Sequence, residues 1–422
     1  MIKPSLLSPF YLIPAAVFAC YLGIALRLPK SRKAPAVFLG LAYFVCSLAT
    51  LFVDVAAMPT FSFDHSASSL FGFSALIAIA LIPGLMVDQP DIRTACQHPI
   101  IRPMFVMLTP LAWYAFLFQL PYAVGALRTG ADVTRSYLYS TGELAGGPTG
   151  WWNTIAVGIS AYYALYMFLF FAAIAARAGA FYVLSMFIGS TLYIVNSFVF
   201  AARDGIIWFL GSMFLCIWLF RPILSQRMNR LLKVLGVTLV IAGALILGLF
   251  TFQRFGRQSS ENAVQSIFMY FGQQPYVFAE TVSQQQEFYG LDLRFPLLAE
   301  MFGPVREIRR VSPYEWSFGT FARDFYSVAG WPTAFLLSGV LALTFALSFK
   351  LCPQHAALAY VILLTLYFQF MLQGIFYFRM GNIPGNIYIA TMVVMASAML
   401  ITARRGRVEA VRRKGAIGRG TS

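Results

Sequence analysis

Charge is scarce in this chain: 11% of its 422 residues are Asp, Glu, Lys or Arg. Set against 59% hydrophobic residues and a mean hydropathy of +0.72, that scarcity excludes a water-soluble domain of this size and points to a multi-span membrane protein. The ten-residue alternation of membrane barrels is missing too. An apolar run of about 20 residues can satisfy its backbone only internally. An all-α, polytopic integral membrane protein is therefore expected.

Histidine is nearly absent, with only His65, His98 and His355 in the chain. HExxH, an Asp-x-Asp pair, a P-loop and a Ser/His/Asp pattern are all lacking. This argues against a His-based metal site, and no carboxylate set signals another, so no metal or cofactor is expected. No inner segment is long enough for a nucleotide-binding domain, which excludes transport driven by an ATPase within this chain. The five cysteines, Cys20, Cys46, Cys96, Cys216 and Cys352, are odd in number and fall in apolar spans or inner loops, against a disulfide framework. Lys3 and the apolar run after it have some look of a signal peptide. No polar mature region follows, so residues 7–26 read as a retained first helix.

What is abundant is apolar length. Candidate spans are 7–26, 35–53, 68–87, 103–125, 152–175, 181–200, 205–220, 234–253, 332–349, 356–375 and 386–402, eleven in all. Pro83, Pro110 and Pro121 lie inside or near span ends and are expected to kink them. The strong basic clusters are Arg27–Lys33, Arg221–Lys233 and the tail from Arg404 to Arg419. All three share one side if the N-terminus is outside and the C-terminus inside. That arrangement puts 19 Lys and Arg against 3 acids inside, and 12 against 13 outside. The net charge of +15 is then a topology signal rather than a nucleic-acid signature.

One stretch breaks the apolar pattern. Residues 254–330 carry seven arginines, eight carboxylates and no lysine, cysteine or histidine. The chain thus divides into spans one to eight (1–253), a large outer loop (254–330), spans nine to eleven (331–403) and a basic inner tail (404–422). Within the loop, Ser260 suits a helix cap and Val264, Ile267, Phe268 and Phe271 share one face, predicting a helix to about Gln273. Pro275 ends it, and 276–288 suits a second helix. Both are expected on the membrane surface or folded back over the spans.

Beyond Lys3, every outer cation is an arginine, the side chain suited to planar, bidentate recognition of phosphate or carboxylate. Arg203 with Asp204, Arg254, Arg257, Arg323 with Asp324, and Arg379 all stand at outer helix ends. An ionisable residue at that depth usually faces a cavity or a partner. The matching carboxylates are Asp324, Glu280 and Asp204, in that order as candidate bases. Tyr270, Tyr276, Tyr314, Trp316 and Tyr326 are candidates to stack on sugar rings.

Three stretches carry a resemblance: Ala202-Arg-Asp-Gly-Ile-Ile207, Tyr270-Phe-Gly-Gln-Gln-Pro-Tyr-Val-Phe-Ala-Glu280 and Phe318-Gly-Thr-Phe-Ala-Arg-Asp-Phe-Tyr326. With the late outer loop, they resemble the bacterial O-antigen or oligosaccharide repeat-unit polymerases of the Wzy type. Eleven spans and an outer N-terminus differ from the twelve or more spans and inner N-terminus with which that family is often drawn. Either a twelfth span exists or this chain departs from the plan.

The resemblance implies a multi-pass protein of the bacterial inner membrane that polymerises undecaprenyl-pyrophosphate-linked oligosaccharide. The growing chain moves from its carrier onto the next unit at the periplasmic face, without metal. It implies that lipid-linked substrate and the membrane lipid as partners, with a chain-length regulator and a flippase as further candidates and no nucleic acid. The competing readings are a flippase for the same lipid, which would set charges along many spans, and an O-antigen ligase, which would carry an outer histidine in its large loop.

Overall fold

The computed structural model describes residues 9–53, 67–130, 133–134, 137, 147–148, 150–202, 204–255, 260–285, 287–303, 319–352, 356–378 and 380–417, with backbone alone at 247, 249–255, 260–263, 302 and 403–417. Among these residues every regular element is a helix. In chain order they are α1 (Leu12–Arg27), α2 (Lys30–Thr50), α3 (Ala67–Leu81), α4 (Ile92–Cys96), α5 (Ile101–Thr129), α6 (Gly150–Ser160), α7 (Tyr163–Ala175), α8 (Ala180–Val199), α9 (Asp204–Phe220) and α10 (Gln226–Phe255). Then come α11 (Ser260–Gly272), α12 (Gln274–Gln284), α13 (Pro296–Phe302), α14 (Thr320–Ala329), α15 (Trp331–Leu351), α16 (Ala357–Gln373) and α17 (Ile383–Ile417).

Eight of the helical stretches are long and apolar enough to cross a membrane, and nine if α6 and α7, bent by 54° at Ala161 and Tyr162, form one span. The two expected spans at 205–220 and 356–375 are shorter apolar helices, α9 and α16, of 17 residues each. Seventeen residues rise about 25 Å, short of a hydrocarbon core of about 30 Å. For α16 lipid does not set the length, because every one of its residues is buried inside the protein. It is apolar all round, as a helix at the centre of a bundle should be.

Tyrosine hydroxyls tie that central helix to its neighbours. Tyr43 donates to the Met371 carbonyl at 2.8 Å. Tyr367 donates to the Ala80 carbonyl at 3.1 Å and accepts the Gly84 N–H at 2.9 Å. Pro83 has no N–H to give, and after Leu81 the helix tightens into a 3-10 turn at Ile82–Met86. The Tyr367 hydroxyl thus bridges a donor and an acceptor that an unbroken helix would have joined directly. The break between α6 and α7 is met the same way, with Gln369 Nε2 donating to the Ala161 carbonyl at 3.0 Å.

The bundle has two unlike ends. At one, Arg32 pairs with Asp88, the Asp88 N–H reaches Tyr360 Oη at 2.8 Å, and Gln89 Nε2 reaches the Trp218 carbonyl at 3.0 Å. The clusters Arg27–Lys33 and Arg221–Lys233 flank these contacts. Tyr388 on α17 donates to Gln369 Oε1 at 2.7 Å, so α17 runs back along α16 towards that same end. At the other end lie Tyr11, Thr50, Leu70 and the helices drawn from the polar stretch.

Those helices do not stand away from the bundle. The C-terminus of α11 meets α2 so closely that a Cβ on Gly272 would lie 2.5 Å from the Ala49 carbonyl carbon. Tyr276 on α12 stacks on Tyr11 at 4.2 Å between ring centroids. Residues 320–328 of α14 are all buried. The two helices expected at 260–273 and 276–288 form at 260–272 and 274–284, with Pro275 in the first turn of the second, where its missing N–H costs nothing.

Candidate functional site

The site is built around the entry to α14. Thr320 has φ +62°, the left-handed region, which a β-branched residue occupies only under constraint, at about 1–3 kcal/mol. The constraint is a pair of backbone hydrogen bonds to the turn after α16. Thr320 N–H donates to the Phe376 carbonyl at 2.9 Å and Phe321 N–H to the Gly374 carbonyl at 3.1 Å. The Thr320 hydroxyl caps the helix by accepting the Ala322 N–H at 3.1 Å. Gly319 is required before it, because a Cβ there would meet Arg323 Cβ at 2.8 Å.

One turn further on, Asp324 is enclosed and fully occupied. Its Oδ1 accepts from Arg323 Nη2 at 2.7 Å and Nε at 3.1 Å, and lies 2.9 Å from Arg294 Nη2. Its Oδ2 accepts the Phe378 N–H at 2.6 Å. Burial by itself would push the Asp324 carboxyl up. The Arg294 and Arg323 guanidiniums, with the Phe378 N–H, outweigh it and hold the group below the usual carboxylate range. Arg294, Asp324 and Arg323 are all buried, and the three side chains carry a formal charge of +1 among them. Arg294 is steadied in turn, with Nε donating to Ser327 Oγ at 3.4 Å and its carbonyl accepting from Asn386 Nδ2 at 3.3 Å.

A second carboxylate reaches the same turn from the far side. Asp204 opens α9 just after Ala201, whose φ is +47°. Its Oδ2 accepts from the Tyr377 hydroxyl and from Trp208 Nε1 at 3.2 Å. Its Oδ1 is buried with no hydrogen-bond partner among the described residues. Asp204 and Asp324 therefore grip consecutive residues, Tyr377 by its side chain and Phe378 by its backbone. Arg379 follows them directly in the chain.

Of the expected site residues, Arg323, Asp324 and Asp204 come together on this turn. Glu280 is fully buried on α12, where Oε1 accepts from Gln284. Its helix meets α14 through Phe278 and Tyr326, with ring centroids 5.9 Å apart. Tyr270 is half-buried and lies 5.2 Å from the Phe376 ring. Two expected sugar platforms need correction. Tyr276 is wholly buried against Tyr11, and its hydroxyl faces the Thr50 carbonyl at 3.4 Å. Tyr326 is buried among Phe278, Phe288 and Trp331. Neither ring has a face free for a sugar, because both fill gaps between helices. Arg254 stands in the last turn of α10 with its backbone alone described, while Arg203, Arg257, Arg379, Tyr314 and Trp316 lie outside the described residues.

Two members of the site were not singled out from sequence. Arg294 sits mid-stretch, away from any span end, and only the fold brings it to Asp324. Nothing local marks Tyr377 as a partner of a residue 173 positions earlier. No three His, Cys, Asp or Glu side chains gather to hold a metal ion among the described residues. Compared with known protein families, with curated proteins and with solved structures, the chain matches none.

Proposed function

We propose that this chain is a glycosyltransferase of the bacterial inner membrane that polymerises oligosaccharide units carried on undecaprenyl pyrophosphate. The carrying observation is the buried Arg294–Asp324–Arg323 group at the end of the bundle opposite the basic clusters. A glycosyl unit leaving a pyrophosphate needs no nucleotide domain, since the donor is already activated. Charge grows on the diphosphate as its bond to the anomeric carbon breaks. Guanidiniums held in place beforehand lower the barrier by about 2–4 kcal/mol each if they behave like other preorganised donors. Asp324, with both oxygens occupied, suits the task of orienting Arg294 and Arg323 rather than that of a base.

The topology that goes with this reading counts α6 with α7 as one crossing and α9 and α16 as two more, giving eleven. With the basic end in the cytosol, the N-terminus and the site face the periplasm. A flippase for the same lipid fits less well, because the charged groups gather at the ends of the spans rather than along them. A ligase fits less well because residues 254–330 contain no histidine.

Deletion of the gene in its host followed by electrophoresis of surface polysaccharide tests the proposal. Single capped units in place of a ladder are expected. A strain with no capped units at all would point to a flippase or ligase, and an unchanged ladder would overturn the reading. Arg254→Ala and Arg323→Ala should each abolish the ladder with protein level kept.

A further inference from the structure

At the end of the bundle opposite the site, the basic side chains differ in whether anything answers them. Arg32 pairs with Asp88. Asp91, the other described carboxylate there, is engaged in capping α4. Arg221, Arg227, Arg230 and Lys233 are all exposed, and the ion pairs among the described residues include none of them. Helix stability does not explain their place either. Arg227 stands in the first turn of α10, at the positive end of the helix dipole, where a cation is disfavoured.

The fold gathers these four more closely than the sequence does. Asn229 Nδ2 donates to the Arg221 carbonyl at 3.1 Å and to the Leu224 carbonyl at 3.0 Å, which folds the preceding turn back onto α10. At about 100° per residue, Arg227, Arg230, Leu231, Val234, Ile241 and Leu245 share one face of the helix, and all six are exposed. Gly236 and Gly243 lie on the opposite face, against α9, where a Cβ on Gly243 would sit 3.0 Å from Ile206 Cγ2. Only 11% of the apolar stretch of α10 is buried in the protein, the smallest share among the eight candidate spans. One face of one helix thus offers two guanidiniums at its base and an unbroken apolar strip above them. That profile matches a lipid with a phosphate headgroup and acyl chains, since arginine forks fit phosphate oxygens. A zwitterionic headgroup would bring a cation of its own into the cluster. A second copy of the chain related by a two-fold axis along the membrane normal would bring the same four cations face to face.

We infer that α10 seats an anionic phospholipid, with its phosphate at Arg227 and Arg230, Arg221 and Lys233 flanking it, and its acyl chains along the strip from Leu231 to Leu245. The inference does not depend on the function proposed above.

The test is native mass spectrometry of the full-length protein released from detergent after equilibration with phosphatidylglycerol or phosphatidylcholine of identical acyl chains. The wild type should retain phosphatidylglycerol at least tenfold better than phosphatidylcholine. Each Lys or Arg near an anionic lipid surface contributes about fivefold in affinity, so Arg227→Gln/Arg230→Gln should weaken phosphatidylglycerol binding about 25-fold. Its thermal midpoint should stay at the wild-type value, because both side chains are exposed. Arg27→Gln/Lys30→Gln removes the same charge from another exposed cluster and should leave the binding within about twofold of wild type if the seat, and not the general field, holds the lipid. Equal retention of the two lipids by the wild type would overturn the inference, and this comparison stands whether or not the variants fold. Equal loss from both double variants would also overturn it, as would displacement of the lipid by excess inorganic phosphate, or a dimer mass that disappears in Arg227→Gln/Arg230→Gln.

Discussion

Replacing Asp324 by Asn is the sharpest probe of the site's framework. The side chain keeps its size but loses its charge, and one of its two ends becomes a donor. If the amide oxygen stays on the Phe378 N–H, the NH2 group faces Arg323 and Arg294, donor against donor. If it flips, the Phe378 N–H loses its acceptor. Removing one partner from a buried ion pair costs about 3–5 kcal/mol, because the charges left behind are uncompensated. Against a total stability of about 5–15 kcal/mol, that is a large share. The expected outcome is a clearly lower thermal unfolding midpoint and a reduced amount of protein in the membrane. The pH dependence has a definite sign. The Asp324 carboxyl is held below its ordinary range in the folded state, so its stabilisation is complete above the unfolded value of about 3.9 and is lost as pH falls through the lower folded value. The acid limb of the wild-type stability profile should therefore flatten in Asp324→Asn. An unchanged midpoint with an unchanged acid limb would refute the brace.

Other substitutions follow from close approaches. Gly319→Ala would press a methyl group on Arg323, and it should lower polymer synthesis more than stability, measured as ladder intensity against thermal midpoint. Tyr367→Phe removes the hydroxyl between Ala80 and Gly84 and should cost about 1–3 kcal/mol, the penalty for a stranded buried polar group, read from thermal unfolding. Arg32→Ala breaks a pair whose side chains are 43% and 49% exposed, and should change stability by less than about 1 kcal/mol in the same assay.

Much of the architecture was legible because membrane-length apolar runs and helix punctuation are local. Ser260 and Pro275 marked α11 and α12 to within a few residues, except that α12 ends at Gln284. Arg323 and Asp324 could be picked out because a charged pair beside a span end is unusual. What could not be read was who would meet whom. Arg294 and Asp324 are thirty positions apart and Asp204 and Tyr377 far more, and no periodicity links them. Tyr276 and Tyr326 misled for a related reason. An aromatic in a polar stretch has the same signature whether it faces a sugar or fills the gap between two helices. The short helices α9 and α16 looked like full spans, because hydropathy measures apolar content and not whether lipid or protein surrounds it.

The enclosure of α16 bears on how the chain is made. A segment of 17 residues that includes Gln369 and Gln373 is a poor candidate to partition into a bilayer alone. Its amides and tyrosines find their partners only on helices synthesised before and after it. Its entry into the membrane should therefore wait on α17, whose Tyr388 occupies Gln369. A ribosome-released fragment ending at Gln373 should leave this helix outside the hydrocarbon or hand the whole fragment to quality-control proteases.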